Sequence, residues 1–168
     1  MGYIIFLVRK EKRVNTTVKI GDSFPKWSAP TMWINGEAKE MEEWGNKATL
    51  IHFWSVSCYF CKRAMSELNQ YRYYYQEKLN IISVHVPRSE HDLDIELVKK
   101  TAVEYKLTHS IYVDHEFQLA KAFSNEYVPS YYLFDQNGKL RYYQAGGTNL
   151  KMLDTRISRV LNSPVNLT

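Results

Sequence analysis

Hydrophobic positions along the chain alternate between short continuous runs and runs with a helical period. Residues 48–54 (A-T-L-I-H-F-W) are a nearly continuous apolar run, as expected of a buried strand in a parallel or mixed sheet. Five side chains downstream recur at intervals of three or four residues: Met65, Leu68, Tyr71, Tyr75 and Leu79. This spacing predicts one face of a long helix from about residue 59 to about residue 78. A buried strand is therefore predicted to lead directly into a long helix.

The alternation of strands and helices continues to the C-terminus. Further strands are predicted at 81–86, 111–113, 130–134 and 139–144, and helices at 95–105, 114–123 and 150–160. A cap for the helix at 95–105 is expected somewhere in Ser89–Asp94. Two Asn-Gly pairs predict hairpins, Asn35-Gly36 between 32–34 and 37–39, and Asn137-Gly138 between the last two strands. This order predicts an α/β fold with three layers, a sheet between helices.

Length and charge predict one globular domain with a basic arm. The chain has 168 residues, enough for a single well-packed domain. It carries 22 basic and 18 acidic residues, of which five basic and one acidic fall in residues 1–20, leaving 17 of each sign in 21–168. We expect a basic N-terminal arm at 1–20, the domain at 21–162 and a short tail at 163–168. The neutral body argues against a nucleic-acid partner.

The apolar run Tyr3–Val8 is too short for a spanning helix, and its positive charges follow it instead of preceding it. The sequence as it stands therefore has no complete signal peptide, which favours a cytoplasmic protein. The alternative is an extracytoplasmic or membrane-associated protein, with this run as the remnant of an export signal.

The two cysteines of the chain, Cys58 and Cys61, lie three positions apart where the predicted strand meets the helix. Such a pair is half of a zinc site, a redox dithiol or a coincidence. Zinc needs four Cys or His ligands, and the five histidines have no second paired spacing, so no metal is expected. A structural disulfide closing so short a loop would stabilise the fold little.

The redox interpretation has a physical mechanism. Free N–H groups and the dipole at a helix N-terminus stabilise negative charge, which lowers the pKa of a thiol there from about 8.5. Cys58 comes first and is the expected attacking thiolate. Cys61, one turn into the helix, is expected to lie behind it and to resolve the mixed disulfide.

The segment L-I-H-F-W-S-V-S-C-Y-F-C-K, followed by M-S-E-L-N, resembles the active-site segment of thioredoxin-like proteins of the ResA/TlpA group. The later stretches V-H-V-P-R-S-E, Y-V-D-H-E, N-E-Y-V-P-S-Y-Y-L-F-D-Q-N-G-K and A-G-G look most like the thioredoxin domain of DipZ-like proteins. The resemblance covers about residues 20–160. It implies a thioredoxin-like sandwich with an N-terminal β-hairpin extension and an inserted βα unit.

The resemblance also implies roles for individual residues. Cys58 matches the nucleophile and Cys61 the resolving thiol, while Pro129 matches the cis-proline that faces the dithiol. Val128 would then offer its backbone to an extended substrate. Tyr59 and Phe60, between the cysteines, are further candidates for substrate contact, although the family's usual tryptophan before the first cysteine is Ser57 here.

Three other residues are candidates for the site, and two of them have two interpretations each. His52, six positions before Cys58, is either an inert core histidine or a proton relay to Cys61. Glu90 matches loosely a glutamate near the site in ResA-like proteins, and otherwise is an acid at a helix start. Trp54, the last residue of the predicted strand, is a further possible site residue.

These observations predict a thiol-disulfide oxidoreductase that acts on protein disulfides without a cofactor. ResA-like relatives imply the reducing direction, with a membrane thiol transporter or another thiol reductant as electron donor. One alternative is peroxide reduction of the thiol-specific antioxidant kind. Ile51 and Ser55 stand where that chemistry usually has proline and threonine, which argues against it. The other alternative is a non-catalytic binding module with a vestigial dithiol.

The first testable prediction concerns which thiol attacks. In the reduced protein, Cys58 should be alkylated much faster than Cys61, with an apparent pKa below about 8.5, because it combines exposure with the helix terminus. Cys61→Ser should leave trappable mixed disulfides and Cys58→Ser almost none, as read by mass spectrometry. Equal alkylation of both thiols, or stoichiometric zinc in the purified protein, would contradict the redox assignment.

Overall fold

The computed structural model describes residues 18–26, 32–36 and 46–162. Six strands are present in these residues: β1 (Trp33–Ile34), β2 (Ala48–Trp54), β3 (Leu79–His85), β4 (Ile111–Val113), β5 (Ser130–Phe134) and β6 (Leu140–Ala145). The α-helices are α1 (Tyr59–Tyr75), α2 (Ile95–Glu104), α3 (Gln118–Ala122) and α4 (Leu150–Asn162), and a 3-10 helix spans Glu90–Leu93. No helix among these residues is long and apolar enough to cross a membrane.

The six strands form one mixed sheet in the order β1-β4-β3-β2-β5-β6. β2 pairs in parallel with β3, and β3 with β4, whereas β5 lies antiparallel to β2 and β6 antiparallel to β5. All seven residues of β2 are buried, because the strand is covered on both faces and paired on both edges. The strand that leads to the cysteines is therefore a central strand of the sheet.

Helices cover both faces of the sheet. On one face α1 and α4 pack against Leu50 of β2, and α1 and α2 pack around Trp54. On the other face α3 joins an aromatic cluster that includes Phe24 and Phe53. The predicted α/β sandwich with a sheet between helices is confirmed.

Most predicted elements are present, but the end of α1 differs. The helix ends at Tyr75 instead of about residue 78, and Leu79, predicted on its buried face, is the first residue of β3. Lys78 N donates to the Tyr75 carbonyl at 2.8 Å, which closes a turn. Leu79 then pairs with Ala48 in the sheet. The helical spacing was misleading here because Leu79 is buried in either structure.

Helix starts were only partly predicted. Asp94 caps α2, within the expected segment, by accepting from Glu96 N at 3.0 Å and Leu97 N at 3.3 Å. The short helix α3 begins at Gln118, so its predicted start at Asp114 was wrong. The Asp114 carboxylate instead accepts from Ala120 N inside the helix, at 2.7 Å.

The predicted N-terminal hairpin can be compared only in its first half. β1 pairs antiparallel with β4, at one edge of the sheet. The second arm, residues 37–39, lies outside the described residues, as do residues 1–17 of the basic arm and the tail 163–168.

A stability prediction follows from the aromatic cluster. The Phe123 ring lies 5.4, 5.3, 4.7 and 6.2 Å from the ring centroids of Phe24, Phe53, Tyr132 and Phe134. Phe123→Ala should lower the free energy of unfolding by about 3–5 kcal/mol, because it leaves a cavity at this centre. Tyr73→Ala, on an exposed position of α1, should change it by less than about 0.5 kcal/mol. Denaturant titration measures both, and a loss below about 1 kcal/mol for Phe123→Ala would be the contrary result.

Candidate functional site

Cys58 and Cys61 lie at the junction that the sequence predicted, where β2 has ended and α1 begins. Cys58 is the N-cap residue of α1, and its Sγ accepts a hydrogen bond from Cys61 N at 3.1 Å. The two cysteines form a disulfide with their Cα atoms 5.2 Å apart. Cys58 is half-buried whereas Cys61 is fully buried. An external molecule therefore reaches the sulfur of Cys58 more readily than that of Cys61.

The loop before β5 lies opposite Cys58. The Cys58 Sγ is 3.7 Å from the carbonyl oxygen of Val128, and the Val128–Pro129 peptide bond is cis. The Pro129 carbonyl accepts from Gly146 N at 2.8 Å, which ties this loop to the end of β6. Val128 is half-buried and Pro129 is buried. Tertiary structure thus brings together two segments that are 70 residues apart in the sequence.

Aromatic side chains stand at the start of α1. Tyr59 is 66% exposed and Phe60 is 49% exposed, with their ring centroids 5.6 Å apart. Tyr127, next to Val128 in the chain, is 60% exposed. These apolar surfaces are on residues adjacent to Cys58 and to Val128 in the chain. Trp54, by contrast, is fully buried, with its ring 5.0 Å from that of His85, so it belongs to the core beneath the site.

Gly147, in the loop after β6, packs closely on the start of α1. A Cβ atom placed on Gly147 would lie 2.9 Å from the carbonyl oxygen of Phe60, closer than real Cβ contacts come. The loop after β6 can therefore pack directly on the first turn of α1 only without a side chain here. This contact helps fix the helix start that carries the cysteines.

Asp92, in the 3-10 helix, is the buried carboxylate nearest the cysteine loop, and sequence reasoning missed it. Its Oδ1 accepts from Ser57 N at 3.1 Å, and its Oδ2 accepts from Ser55 Oγ at 2.7 Å, Ser57 Oγ at 2.8 Å and Arg88 N at 2.8 Å. Although burial opposes ionisation, these hydrogen bonds hold the pKa of Asp92 below its usual value. The acid lies in an ordinary polar run, S-E-H-D-L-D, so nothing in the sequence distinguished it from Glu90, which is exposed.

Three histidines are buried beneath the site. His52 is fully buried, stacks on Tyr131 and shares a hydrogen bond with Ser83 Oγ at 3.0 Å, and Ser83 Oγ lies 2.7 Å from His109 Nε2. Burial, with a smaller contribution from His109, lowers the pKa of His52 from 6.5 to about 3. Burial likewise lowers the pKa values of His85 and His109 to about 4. All three rings are therefore neutral near pH 7.

Among residues 18–26, 32–36 and 46–162, no group of three or more His, Cys, Asp or Glu side chains is arranged to hold a metal ion.

With this geometry established, comparison with known proteins identifies the family. The AhpC/TSA family model matches residues 20–143. The chain belongs to this family. The thiol-disulfide oxidoreductase YkuV of Bacillus subtilis is 49% identical over 144 residues, which cover 86% of this chain and 97% of that protein. The thiol-disulfide oxidoreductase ResA of Geobacillus thermodenitrificans is 28% identical over 84% of this chain and 76% of its own length.

Other similarities extend the same grouping. DipZ of Mycobacterium tuberculosis is 27% identical over 82% of this chain. The matched part covers 20% of the length of DipZ. The solution structure of a thioredoxin-like protein in the oxidised form is 49% identical, covers 86% of this chain and 97% of its own, and superposes with a TM-score of 0.80. StoA of Bacillus subtilis shares only the fold, with 18% identity over 80% of this chain and 98% of its own and a TM-score of 0.65. The predicted resemblance to ResA-type and DipZ-like thioredoxin domains is confirmed.

The buried histidines predict a pH dependence of stability. The unfolded chain binds their protons near pH 6.5, whereas the folded chain does so only near pH 3–4. Stability should therefore be complete above about pH 7 and fall as the pH decreases, by roughly 2 kcal/mol per histidine between pH 7 and pH 5. His52→Gln should make this decrease in the free energy of unfolding smaller by the contribution of one histidine. Urea titrations at each pH measure the decrease. His91→Gln, on an exposed position, is the control and should leave the slope unchanged; equal slopes in all three proteins would refute the assignment.

Proposed function

We propose that this protein reduces disulfide bonds of other proteins, with Cys58 as nucleophile and Cys61 as resolving thiol. The protein is a thiol-disulfide oxidoreductase of thioredoxin-like fold, related over most of its length to enzymes named for that activity. One observation carries the assignment of roles: the two thiols form a disulfide at the N-terminus of α1, with Cys58 accessible and Cys61 fully buried.

The proposed reaction has two exchange steps. The Cys58 thiolate attacks one sulfur of the substrate disulfide, that bond breaks, and the released substrate sulfur takes a proton. The Cys61 thiolate then attacks Cys58 Sγ and releases the second substrate thiol. The substrate gains two electrons and two protons, and the enzyme ends with the Cys58–Cys61 disulfide. The N–H of Cys61, already 3.1 Å from Cys58 Sγ, is placed to stabilise the attacking thiolate.

A disulfide-bearing protein suits the surroundings of Cys58. Its sulfur faces the backbone carbonyl of Val128, so a bound chain could pair with backbone groups there without requiring a particular side chain. The exposed rings of Tyr59 and Phe60 offer apolar contact on the other side of the sulfur. Pro129, buried behind Val128, would shape this groove.

The reducing direction requires an electron donor that returns Cys58 and Cys61 to thiols. We propose a dithiol reductant, such as a membrane thiol transporter, which would reach the same exposed Cys58 sulfur. No further cofactor enters the reaction, since two thiols carry both electrons.

Trp54, His52 and Glu90 have no direct part in this proposal. Trp54 is a buried core residue. The burial of His52 and its pKa of about 3 make it a poor proton acceptor near neutral pH, which favours the core interpretation over the relay. Glu90 is exposed, and Asp92 is the acid of the same 3-10 helix that contacts the cysteine loop.

The proposal predicts that the reduced protein reduces a protein disulfide efficiently but reacts slowly with hydrogen peroxide. A peroxidase must hold both peroxide oxygens in a polar pocket, yet Ile51 is fully buried and the Ser55 hydroxyl already donates to Asp92. Insulin reduction and stopped-flow peroxide oxidation would be compared on the same sample. Peroxide should react near the rate of an ordinary low-pKa thiol.

Variants provide the controls for this comparison. Pro129→Ala should impair disulfide exchange because it alters the groove, while alkylation of Cys58 by a small reagent should change little. Cys61→Ser should stop turnover at the mixed disulfide. If peroxide consumed the reduced protein orders of magnitude faster than a simple thiolate, and protein disulfides were left intact, the peroxidase alternative would be correct.

A further inference from the structure

Asp92 places a buried negative charge against the residue that precedes Cys58. It is fully buried, and its Oδ1 accepts from the backbone N–H of Ser57, the residue before Cys58. Three more donors converge on its Oδ2, two of them hydroxyls of the same loop. These four hydrogen bonds offset the cost of burying the charge and favour the ionised form of the carboxylate. The charge is therefore held against the backbone of Ser57, the residue that precedes Cys58 in the chain.

No cation neutralises this charge among the described residues. Lys99 pairs with Glu96 and Arg141 with Asp135, and neither pair includes Asp92. Arg88 contacts the Asp92 carboxylate through its backbone N–H, but its guanidinium donates to the carbonyl of Glu126 at 3.1 Å. The two imidazoles whose charges would act on Asp92 are His85 and His115, and burial lowers the pKa of each. Near pH 7 the carboxylate therefore has neutral neighbours on these sides.

Two electrostatic effects thus oppose each other at Cys58. The N-terminus of α1 and the N–H of Cys61 favour the thiolate. A like charge nearby disfavours it, and burial of the Asp92 carboxylate reduces the screening of its charge by water. The first turn of α1 carries no acidic side chain, so the opposing charge comes from a distant part of the chain, between β3 and α2.

We infer that Asp92 is a positioning residue that keeps the dithiol reducing, because its fixed charge destabilises the Cys58 thiolate and thereby favours the disulfide product. A dithiol whose thiolate is less stable gives up its electrons more readily, since the reduced form is then the less favoured one. This inference rests on the proposed function and extends it: the hydrogen bonds hold the loop, and the charge sets the direction of exchange.

The test measures the pKa of Cys58 from the pH dependence of its alkylation by iodoacetamide, which needs no protein substrate. Asp92→Asn removes the charge but keeps the size and one oxygen acceptor. The pKa of Cys58 should decrease by about one unit. Ser55→Ala removes one hydrogen bond to the carboxylate but keeps the charge, and Glu90→Gln removes an exposed charge from the same 3-10 helix. Both controls should shift the pKa by much less.

The reduction potential gives a second readout, from equilibration with a reference dithiol. Above the pKa values of both thiols, Asp92→Asn should favour the reduced form about tenfold, which is about 30 mV more positive for a two-electron couple. The difference should shrink as the pH falls below the pKa of Cys58, because the uncharged thiol does not feel the carboxylate. A structural effect of the loop would give a difference that does not depend on pH.

The outcomes separate the inference from the function on which it rests. An unchanged or raised pKa of Cys58 in Asp92→Asn, or an equal decrease in Ser55→Ala, would overturn the inference while leaving disulfide exchange intact.

If Asp92→Asn does not fold, the unsubstituted protein is used for a second test. The carboxyl ¹³C resonance of Asp92 in the reduced form should then shift with the titration of Cys58, and should not do so in the oxidised form; no shift in the reduced form would also refute the inference. Failure of the wild type to reduce insulin, with the expected pKa change present, would refute only the proposed function.

Discussion

The complete burial of β2 is the constraint on which the rest of the structure depends. The strand pairs with β3 on one edge and β5 on the other, and helices cover both of its faces. A strand held on four sides has no freedom to shift its register, since a slip of one residue would turn its side chains to the opposite face. Its C-terminal end is therefore a fixed point, and the cysteine pair begins four residues beyond it.

The loop between β2 and α1 is held from below by polar groups that the rest of the fold supplies. Asp92 binds the hydroxyls of Ser55 and Ser57, and His85 Nε2 lies 3.4 Å from Val56 N. Hydrogen bonds within a buried loop are needed because the backbone there has no strand or helix partner. The proposed effect of the Asp92 charge on Cys58 therefore depends on the same hydrogen bonds that hold this loop.

Exchange chemistry needs one thiol that substrate can reach and one that it cannot. The structure provides this difference over a single helical turn, because Cys58 caps α1 at the edge of the domain and Cys61 faces the core with Trp54 and Met65. Val128, in the loop before β5, faces the accessible sulfur, and Gly147, in the loop after β6, packs on the first turn of α1. Both loops therefore border the helix start that carries the two cysteines.

The sequence by itself determined the elements and the reactive pair. Continuous apolar runs and helical spacing located β2, β3, β4 and β5. The same local signals placed Cys58 at the N-terminus of α1, because they depend on neighbouring residues. Local signals failed at Leu79, because an apolar residue at this position would be buried both on a helix face and in a strand.

Only the tertiary structure decided which acid reaches the site. Asp92 and Glu90 are two residues apart in a similar polar run, and one is buried beneath the cysteine loop while the other is exposed, because that choice depends on how the 3-10 helix packs against residues 35 positions earlier.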